Sequence, residues 1–88
     1  MREFETKPEL EKILKKLIKK DKKLYEQIIK KIQEIIGCYD LEHYKNLRYN
    51  MKDSKRVHIG HFVLIFSYGK KRNFVSFEYF DHHDNIYK

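Results

Sequence analysis

Four of the five histidines lie in the last third of the 88-residue chain, at His58, His61, His82 and His83. Imidazole titrates near neutral pH, so a cluster of histidines can supply both a general base and a general acid. Cleavage of RNA needs little more. One group removes the proton of a 2′-hydroxyl, cations stabilise the phosphate, and one group protonates the leaving 5′-oxygen. Scattered surface histidines are common, so composition alone does not assign this chemistry.

Other side chains of the required types accompany the histidines. The candidates for catalysis are His83, Tyr87, His58 and Arg56, and the candidates for RNA contact are Lys45, Arg48, His61, Lys52 and Lys55. The run Asp81-His82-His83-Asp84 contains ordinary metal ligands. Adjacent residues of an extended segment point in opposite directions, so we expect neither a metal nor another cofactor there.

Length and composition predict a single domain spanning residues 1–88. Cys38 is the one cysteine, so no internal disulfide forms, and we expect a reducing, cytoplasmic location. The N-terminus lacks the apolar core of a secretory signal, and no apolar run has the length of a membrane span. The net charge of +7 indicates a polyanionic partner, or alternatively a lysine-rich proteome such as that of a thermophile.

Two stretches in the first half have the apolar spacing of amphipathic helices. Thr6 is predicted to form a capping box with Glu9, with Pro8 in the first turn. Asp21 is predicted to end this helix and cap the next, and Gly37 to form the C-cap of the second helix. The apolar faces need a third surface to cover them, whereas the lysine faces are expected to be solvated.

The residue pattern of the second half predicts β-strands at residues 56–59, 62–68 and 74–80, and residues 2–5 could add a short edge strand. Gly60 and His61 are predicted to form a tight turn, and 69–73 a hairpin loop. The fold class is therefore α+β, with an N-terminal helix hairpin packed on one face of a small antiparallel β-sheet.

The alternation along 56–59 predicts which residues share a face of that sheet. Val57 and Ile59 should face the helices, whereas Arg56 and His58 should lie on the other face. That second face is expected to be free of covering structure, so cations and imidazoles would gather on one exposed surface.

Three segments resemble the RelE/ParE toxin superfamily. They are YKNLR at 44–48, RVHIGHFVLIF at 56–66 and HHDNIY at 82–87. Their order and spacing match the family's K-x-L-R segment, its R-x-R-x-G-x-Y-R-h-h-Y hairpin (h for hydrophobic) and its closing H-R-x-x-h-Y. The resemblance covers nearly the whole chain and implies the RelE-like fold.

The resemblance also implies a function: the toxin of a type II toxin–antitoxin pair, which cleaves mRNA on the ribosome without a metal. His83 matches the position where many members carry a catalytic Arg, and Tyr87 the aromatic residue that orients or activates the attacking hydroxyl. Arg56 and His58 match basic hairpin residues. Lys45 and Arg48, outside the hairpin, match residues that grip RNA.

One departure from the family pattern concerns the hairpin. Val63 stands where many RelE toxins have a phosphate-stabilising Arg, which Val cannot replace. His61, beside the turn, is a hypothetical substitute.

Two other functions remain open. A ParE-like toxin would share the fold but inhibit DNA gyrase, although His83 and Tyr87 would have no use there. A non-catalytic RNA- or ribosome-binding module, such as a decayed toxin, would explain Val63. The implied partners are a RelB-like antitoxin in a 2:2 heterotetramer, the ribosome and mRNA, with no membrane. An acidic, partly disordered antitoxin could fold on this basic domain.

Overall fold

The computed structural model describes residues 3–38, 40–41, 44 and 54–86. The elements in chain order are β1 (Glu3–Thr6), α1 (Pro8–Lys20), α2 (Lys22–Gly37), β2 (Ser54–Ile59), β3 (Phe62–Gly69), β4 (Phe74–His82) and α3 (His83–Ile86). The strands form one sheet in the order β1-β4-β3-β2. The helix pair and the sheet share one core, which confirms the α+β class. In the part of the chain described, no helix is long and apolar enough to span a bilayer.

The sheet is mixed rather than purely antiparallel. Strands β2, β3 and β4 pair antiparallel as predicted, but β1 pairs parallel to β4, with Thr6 opposite Phe77. The Lys7 N–H continues this ladder by donating to the Phe77 carbonyl at 2.9 Å. Thr6 therefore belongs to the edge strand, and the predicted capping box with Glu9 is wrong. Lys7 is the N-cap without a side-chain bond, and Pro8 begins the helix as expected.

The helix hairpin turns at Asp21, as predicted. Its Oδ1 accepts a hydrogen bond of 3.1 Å from the Leu24 N–H and so caps α2. Helix α2 ends differently from the prediction. Gly37 is still helical, and the C-cap is Cys38 in an extended conformation (φ −73°, ψ 132°), so no left-handed glycine is needed.

The core lies between the helix pair and the facing side of the sheet. The rings of Tyr44 and Phe66 meet in a T-shaped arrangement with their centroids 5.6 Å apart, and Leu41 is 1% exposed. The sequence of the polar stretch 39–55 predicts four apolar anchors, Leu41, Tyr44, Leu47 and Met51, of which Leu47 and Met51 lie outside the described residues. The buried core consists of Leu10, Ile28, Ile32, Ile35, Ile36, Leu41, Ile59, Leu64, Phe66, Val75, Phe77 and Phe80.

The face of the sheet away from the helices is covered at its centre. Val63 is fully buried and Ile65 is 8% exposed, although neither belongs to the main core cluster. The prediction that this whole face is free was therefore wrong for β3. The continuous apolar run at 62–68 is typical of a strand buried on both sides, and Val63 to Phe66 are buried in the structure. Helix α3 lies against β3 and β4.

Two local irregularities position the ends of the strands. Gly60 has φ +63° in the predicted turn between β2 and β3, a conformation that glycine adopts without strain. In β4, Tyr79 pairs with Ile65 and Phe77 with Phe66, so a bulge lies between them at residue 78. Strand β4 is two residues longer than predicted and leads directly into α3, which was not predicted.

Candidate active site

Two rows of paired residues cross the sheet on the face away from the helices. Directly paired residues on adjacent strands share a face, so each row brings its side chains together. One row is His58, Val63 and Asp81, and the other is Arg56, Ile65 and Tyr79. In both rows a buried aliphatic residue of β3 separates two polar residues on the neighbouring strands.

His58 of β2 stacks on His83, the first residue of α3. Their ring centroids are 5.6 Å apart and their planes differ by 28°. The His83 N–H donates to the His61 carbonyl at 2.9 Å, which ties the start of α3 to the turn after β2. The His83 side chain is 46% exposed and His58 is also exposed. Two predicted catalytic histidines therefore lie together and can be reached from solvent.

Arg56 precedes His58 by two residues and shares its face of β2, as the alternation predicted. Arg56 is half-buried, with its Nε atom inside the protein. Partial burial limits how far a long side chain can move. A guanidinium on the same face of β2 as His58 is suited to stabilising a phosphate, whose oxygens it can contact in pairs.

Asp81 organises the junction of β4 and α3. It accepts hydrogen bonds from Asn85 Nδ2 at 3.1 Å, the His82 N–H at 2.7 Å and the Tyr79 hydroxyl at 3.2 Å. The bond from Asn85, with those from His82 and Tyr79, lowers the pKa of the Asp81 carboxyl below its usual value, against the opposing effect of burial. The ionised carboxylate thus holds the backbone that presents His83.

Tyr79 is the counterpart of Asp81 in this network. Donation of its hydroxyl proton to the Asp81 carboxylate, together with the charge of that carboxylate, raises the pKa of Tyr79. The phenol therefore stays protonated at neutral pH and acts as a donor to Asp81. This assigns Tyr79 to the support of the site rather than to proton transfer with a substrate.

The other two histidines form a separate pair. His61 and His82 stack with centroids 6.3 Å apart, and the His82 ring also meets the ring of Phe62 at 5.5 Å. The Asp84 N–H donates to His82 Nδ1 at 3.3 Å, so a neutral His82 carries its proton on Nε2. His61 therefore stacks on His82, and the hypothesis that it fills the space of the missing arginine at Val63 gains no support from this position.

Metal ligation has no arranged site among the residues described: no three histidine, cysteine or acidic side chains converge there. The segment 81–84 is not extended throughout, because α3 begins at His83. As a result, His82 and His83 both approach Asp84, with Nδ1 to carboxylate distances of 3.8 and 3.7 Å. Asp84 is 85% exposed, so these contacts are weak.

Of the five other predicted site residues, Lys55 alone lies among those that the structure describes. Lys45, Arg48, Lys52 and Tyr87 lie outside the described residues. Lys55 is only 5% exposed and pairs with Phe66 on the side facing the helices. Its predicted contact with RNA conflicts with this burial, because residue 55 shares the helix-facing side with Val57 and Ile59. The alternation along β2, which predicts this side for residue 55, outweighs the usual exposure of a lysine.

Three residues that support the site were not predicted from the sequence. Asp81 was considered only as a metal ligand, and Tyr79 and Asn85 were not considered. The spacing of Tyr79 and Asp81 by two residues places them on one face of a strand, which was a usable signal. The bond from Asn85 requires a helical turn after β4, and no feature of residues 83–86 predicted that turn.

The fold and this site together define a small basic α+β domain of the RelE/ParE type, with a helix hairpin on one sheet face and ionisable side chains on the other. A protein of Methanocaldococcus jannaschii named "Putative toxin RelE4" is 52% identical over 89 aligned positions, covering all of this chain and 93% of that protein. An "Uncharacterized protein" of Methanosarcina mazei is 46% identical over 80 aligned positions, covering 90% of this chain and 91% of the relative. No protein-family model and no solved structure matches. The chain belongs to the RelE-type toxins, the toxin members of toxin–antitoxin pairs.

Proposed function

We propose that this toxin is a ribosome-dependent endoribonuclease that cleaves mRNA by acid–base attack of a 2′-hydroxyl. The observation that carries the proposal is the stacked pair of His58 and His83, 5.6 Å apart on one sheet face and on the same side as Arg56. A pair of accessible imidazoles can hold a base and an acid at once near neutral pH. Family membership supports the same reaction, because RelE-type toxins act on mRNA at the ribosome.

His83 is given the role of the acid from the family position that it matches, and His58, the imidazole stacked on it, is given the role of the base. His58 removes the proton of the 2′-hydroxyl, and the 2′-oxygen attacks the adjacent phosphorus. The bond from phosphorus to the 5′-oxygen breaks while His83 donates a proton to that oxygen. The products are a 2′,3′-cyclic phosphate and a free 5′-hydroxyl. Arg56 stabilises the extra negative charge of the pentavalent phosphate, and Tyr87 orients the attacking hydroxyl. Every proton in this scheme is carried by a protein side chain.

The partners follow from the same site. Lys45, Arg48 and Lys52 are proposed to contact the RNA strand, with His61 at the edge of the site, and the buried Lys55 is left out. A RelB-like antitoxin, acidic and partly disordered, is proposed to cover the basic surface in a 2:2 heterotetramer in the cytoplasm. Charge complementarity to a domain of net charge +7 supports this partner.

Full burial of Val63 favours one alternative, a non-catalytic RNA- or ribosome-binding module. The arginine that the family pattern places there would have to enter a closed space between His58 and Asp81. The site therefore depends on Arg56 alone, among the described residues of the two rows, for a permanent positive charge. If Arg56 does not suffice, the protein binds RNA without cutting it.

The test uses purified protein, programmed ribosomes and a defined mRNA, read by primer extension, with His83→Ala and Tyr87→Phe alongside. We expect cleavage within codons that requires the ribosome and falls by at least about 100-fold in His83→Ala. The control is His82→Ala, a neighbouring histidine of nearly equal exposure in the other pair. Wild-type rates in His83→Ala would refute the assignment of the acid. Tight ribosome or gyrase binding without cleavage would move the protein to one of the non-catalytic classes.

A further inference from the structure

The turn of the helix hairpin carries a dense group of lysines, the lysine tip, at residues 15–23. Six of these nine residues are lysine, and the only acid among them is Asp21. The six are Lys15, Lys16, Lys19, Lys20, Lys22 and Lys23, and all are exposed. Much of the net charge of +7 is therefore concentrated at one end of the molecule.

A lysine face on an amphipathic helix is most often only a solvated surface with acidic neighbours. In the lysine tip the six lysines outnumber the one acid, Asp21, and Glu11 and Glu26 lie just outside it. Within the described ranges, none of its six lysines forms an ion pair, whereas Lys31 pairs with Glu34 at 2.8 Å and Lys7 with Glu5 at 3.3 Å. The Asp21 carboxylate caps α2 by accepting from Leu24. The repulsion among these lysines is thus left for an external anion to relieve.

The lysine tip also adjoins the candidate active site. A groove beside the tip is lined by Asp21, Lys23 and Leu24 on the hairpin and by Gly60 and His61 on the turn after β2. The same turn binds the start of α3 through the His61 carbonyl, which accepts from the His83 N–H. A polyanion lying along the tip would therefore pass next to the histidines.

We propose that the lysine tip binds the phosphate backbone of folded RNA that flanks the cleaved strand. This rests on the proposed function, because an RNA seated at His58 and His83 must continue beyond the sheet. Lysines supply point charges suited to phosphates, and they are depleted in the centres of protein–protein interfaces. Within the tip the one large apolar side chain that is exposed is Ile18, at 48%. An acidic protein would find little there to pack against.

The chemistry of the lysine tip predicts how it binds. It contains no aromatic residue on which a base could stack and no arginine that could read a guanine edge. Contacts made only to phosphates position an RNA without selecting its sequence, and their strength falls steeply with salt. Binding should therefore be independent of sequence and strongly dependent on ionic strength.

The test measures binding apart from cleavage. A fluorescein-labelled RNA hairpin, 2′-O-methylated throughout so that its 2′-oxygens cannot attack, is titrated in a series of KCl concentrations. The variant of the tip is Lys20→Glu with Lys23→Glu. The matched control is Lys70→Glu with Lys71→Glu, the same change in net charge in the exposed turn at the far end of β3. That turn lies about 26 Å from the turn after β2, measured along β3 at roughly 3.3 Å for each residue.

For the tip variant we expect the slope of log K against log salt to shrink by about 1.5 to 2, and the affinity at low salt to fall at least tenfold. The control should retain most of the slope. Because the 2′-O-methylated RNA cannot be cleaved, this result stands whether or not His58 and His83 prove to be the catalytic pair. Circular dichroism checks the folding of each variant, and Lys15→Glu with Lys19→Glu is a second tip variant if the first unfolds.

Three outcomes would overturn the proposal. An equal loss in the tip and control variants would show that only net charge matters. No loss in either variant would show that the tip is a solvated surface. If the tip variant still binds RNA but no longer binds a polyglutamate peptide, the partner of the tip is an acidic protein instead.

Discussion

The two histidine pairs are alike in composition and differ in their surroundings. Each pair joins a residue near the turn after β2 to a residue where β4 meets α3, with ring centroids 5.6 and 6.3 Å apart. His82 and His83 are adjacent and almost equally exposed, at 43% and 46%. The pair of His83 lies on the same sheet face as Arg56. The pair of His82 instead contacts the ring of Phe62, which packs against the core.

The end of β4 separates the two pairs. His82 is the last residue of the strand, opposite Phe62, and His83 begins a helix. The change of backbone direction sends neighbouring imidazoles to different environments. Only one of these environments, that of His83, combines a second imidazole with a cation on the same face. Position on a face, and not residue type, therefore distinguishes the candidate acid from its neighbour.

The largest expected difference between the pairs is in cleavage rate. His58→Ala should lower the single-turnover rate on ribosomes by about 100-fold or more, because it removes the proposed general base. His61→Ala, which removes the corresponding histidine of the second pair, should change the rate only a few-fold through weaker RNA binding. Equal losses in the two variants would remove the distinction between the pairs.

A second prediction concerns the buried position between His58 and Asp81. Val63→Arg, which restores the cation of the family pattern, should destabilise the fold by at least about 3 kcal/mol, because it buries a charge and overpacks a closed space. Urea denaturation measures this, with Val63→Ala as the control for simple loss of volume. A stable Val63→Arg protein with faster cleavage would show instead that the space can open.

The smallest expected effect is that of Asp81→Asn on stability. We expect a loss of about 1 kcal/mol at neutral pH, discounted for the partial exposure of the network. The pKa of Asp81 is lowered in the fold, so its contribution is present above the unfolded value of about 3.9 and is lost as the pH falls through the folded value.

Urea denaturation from neutral pH downward should therefore show the wild type and Asp81→Asn converging below about pH 4. If the wild type and Asp81→Asn still differ in free energy of unfolding in acid, the network does not depend on the ionised carboxylate. Asp81→Glu, which keeps the charge but moves it, separates the effect of charge from that of position.

The helices and the antiparallel strands could be predicted because their signals are local. Apolar spacing located both helices, and the side chain of Asp21 caps α2 as expected. The alternation along β2 placed Arg56 and His58 on one face. The parallel pairing of β1 with β4 could not be predicted, because it joins residues about seventy positions apart and leaves no trace in either segment.

The candidate histidines and Arg56 could be chosen from the sequence, but which of them lie together could not be predicted. Which histidine meets which depends on the register of β3 with β4, and that register includes an unpredicted bulge. The short helix α3 has no helix signal in its four residues, although Asn85 donates to Asp81 across this turn in the structure. The burial of Lys55 was missed because a lysine was assumed to face solvent.

The most direct test of the central claim is the pH dependence of single-turnover cleavage on ribosomes. The wild type should show a bell-shaped profile, since a base must be deprotonated and an acid protonated. Loss of His58 should remove the fall in rate at low pH, and loss of His83 the fall at high pH. If both variants retain both limbs of the bell, His58 and His83 are not the acid–base pair and the account is wrong.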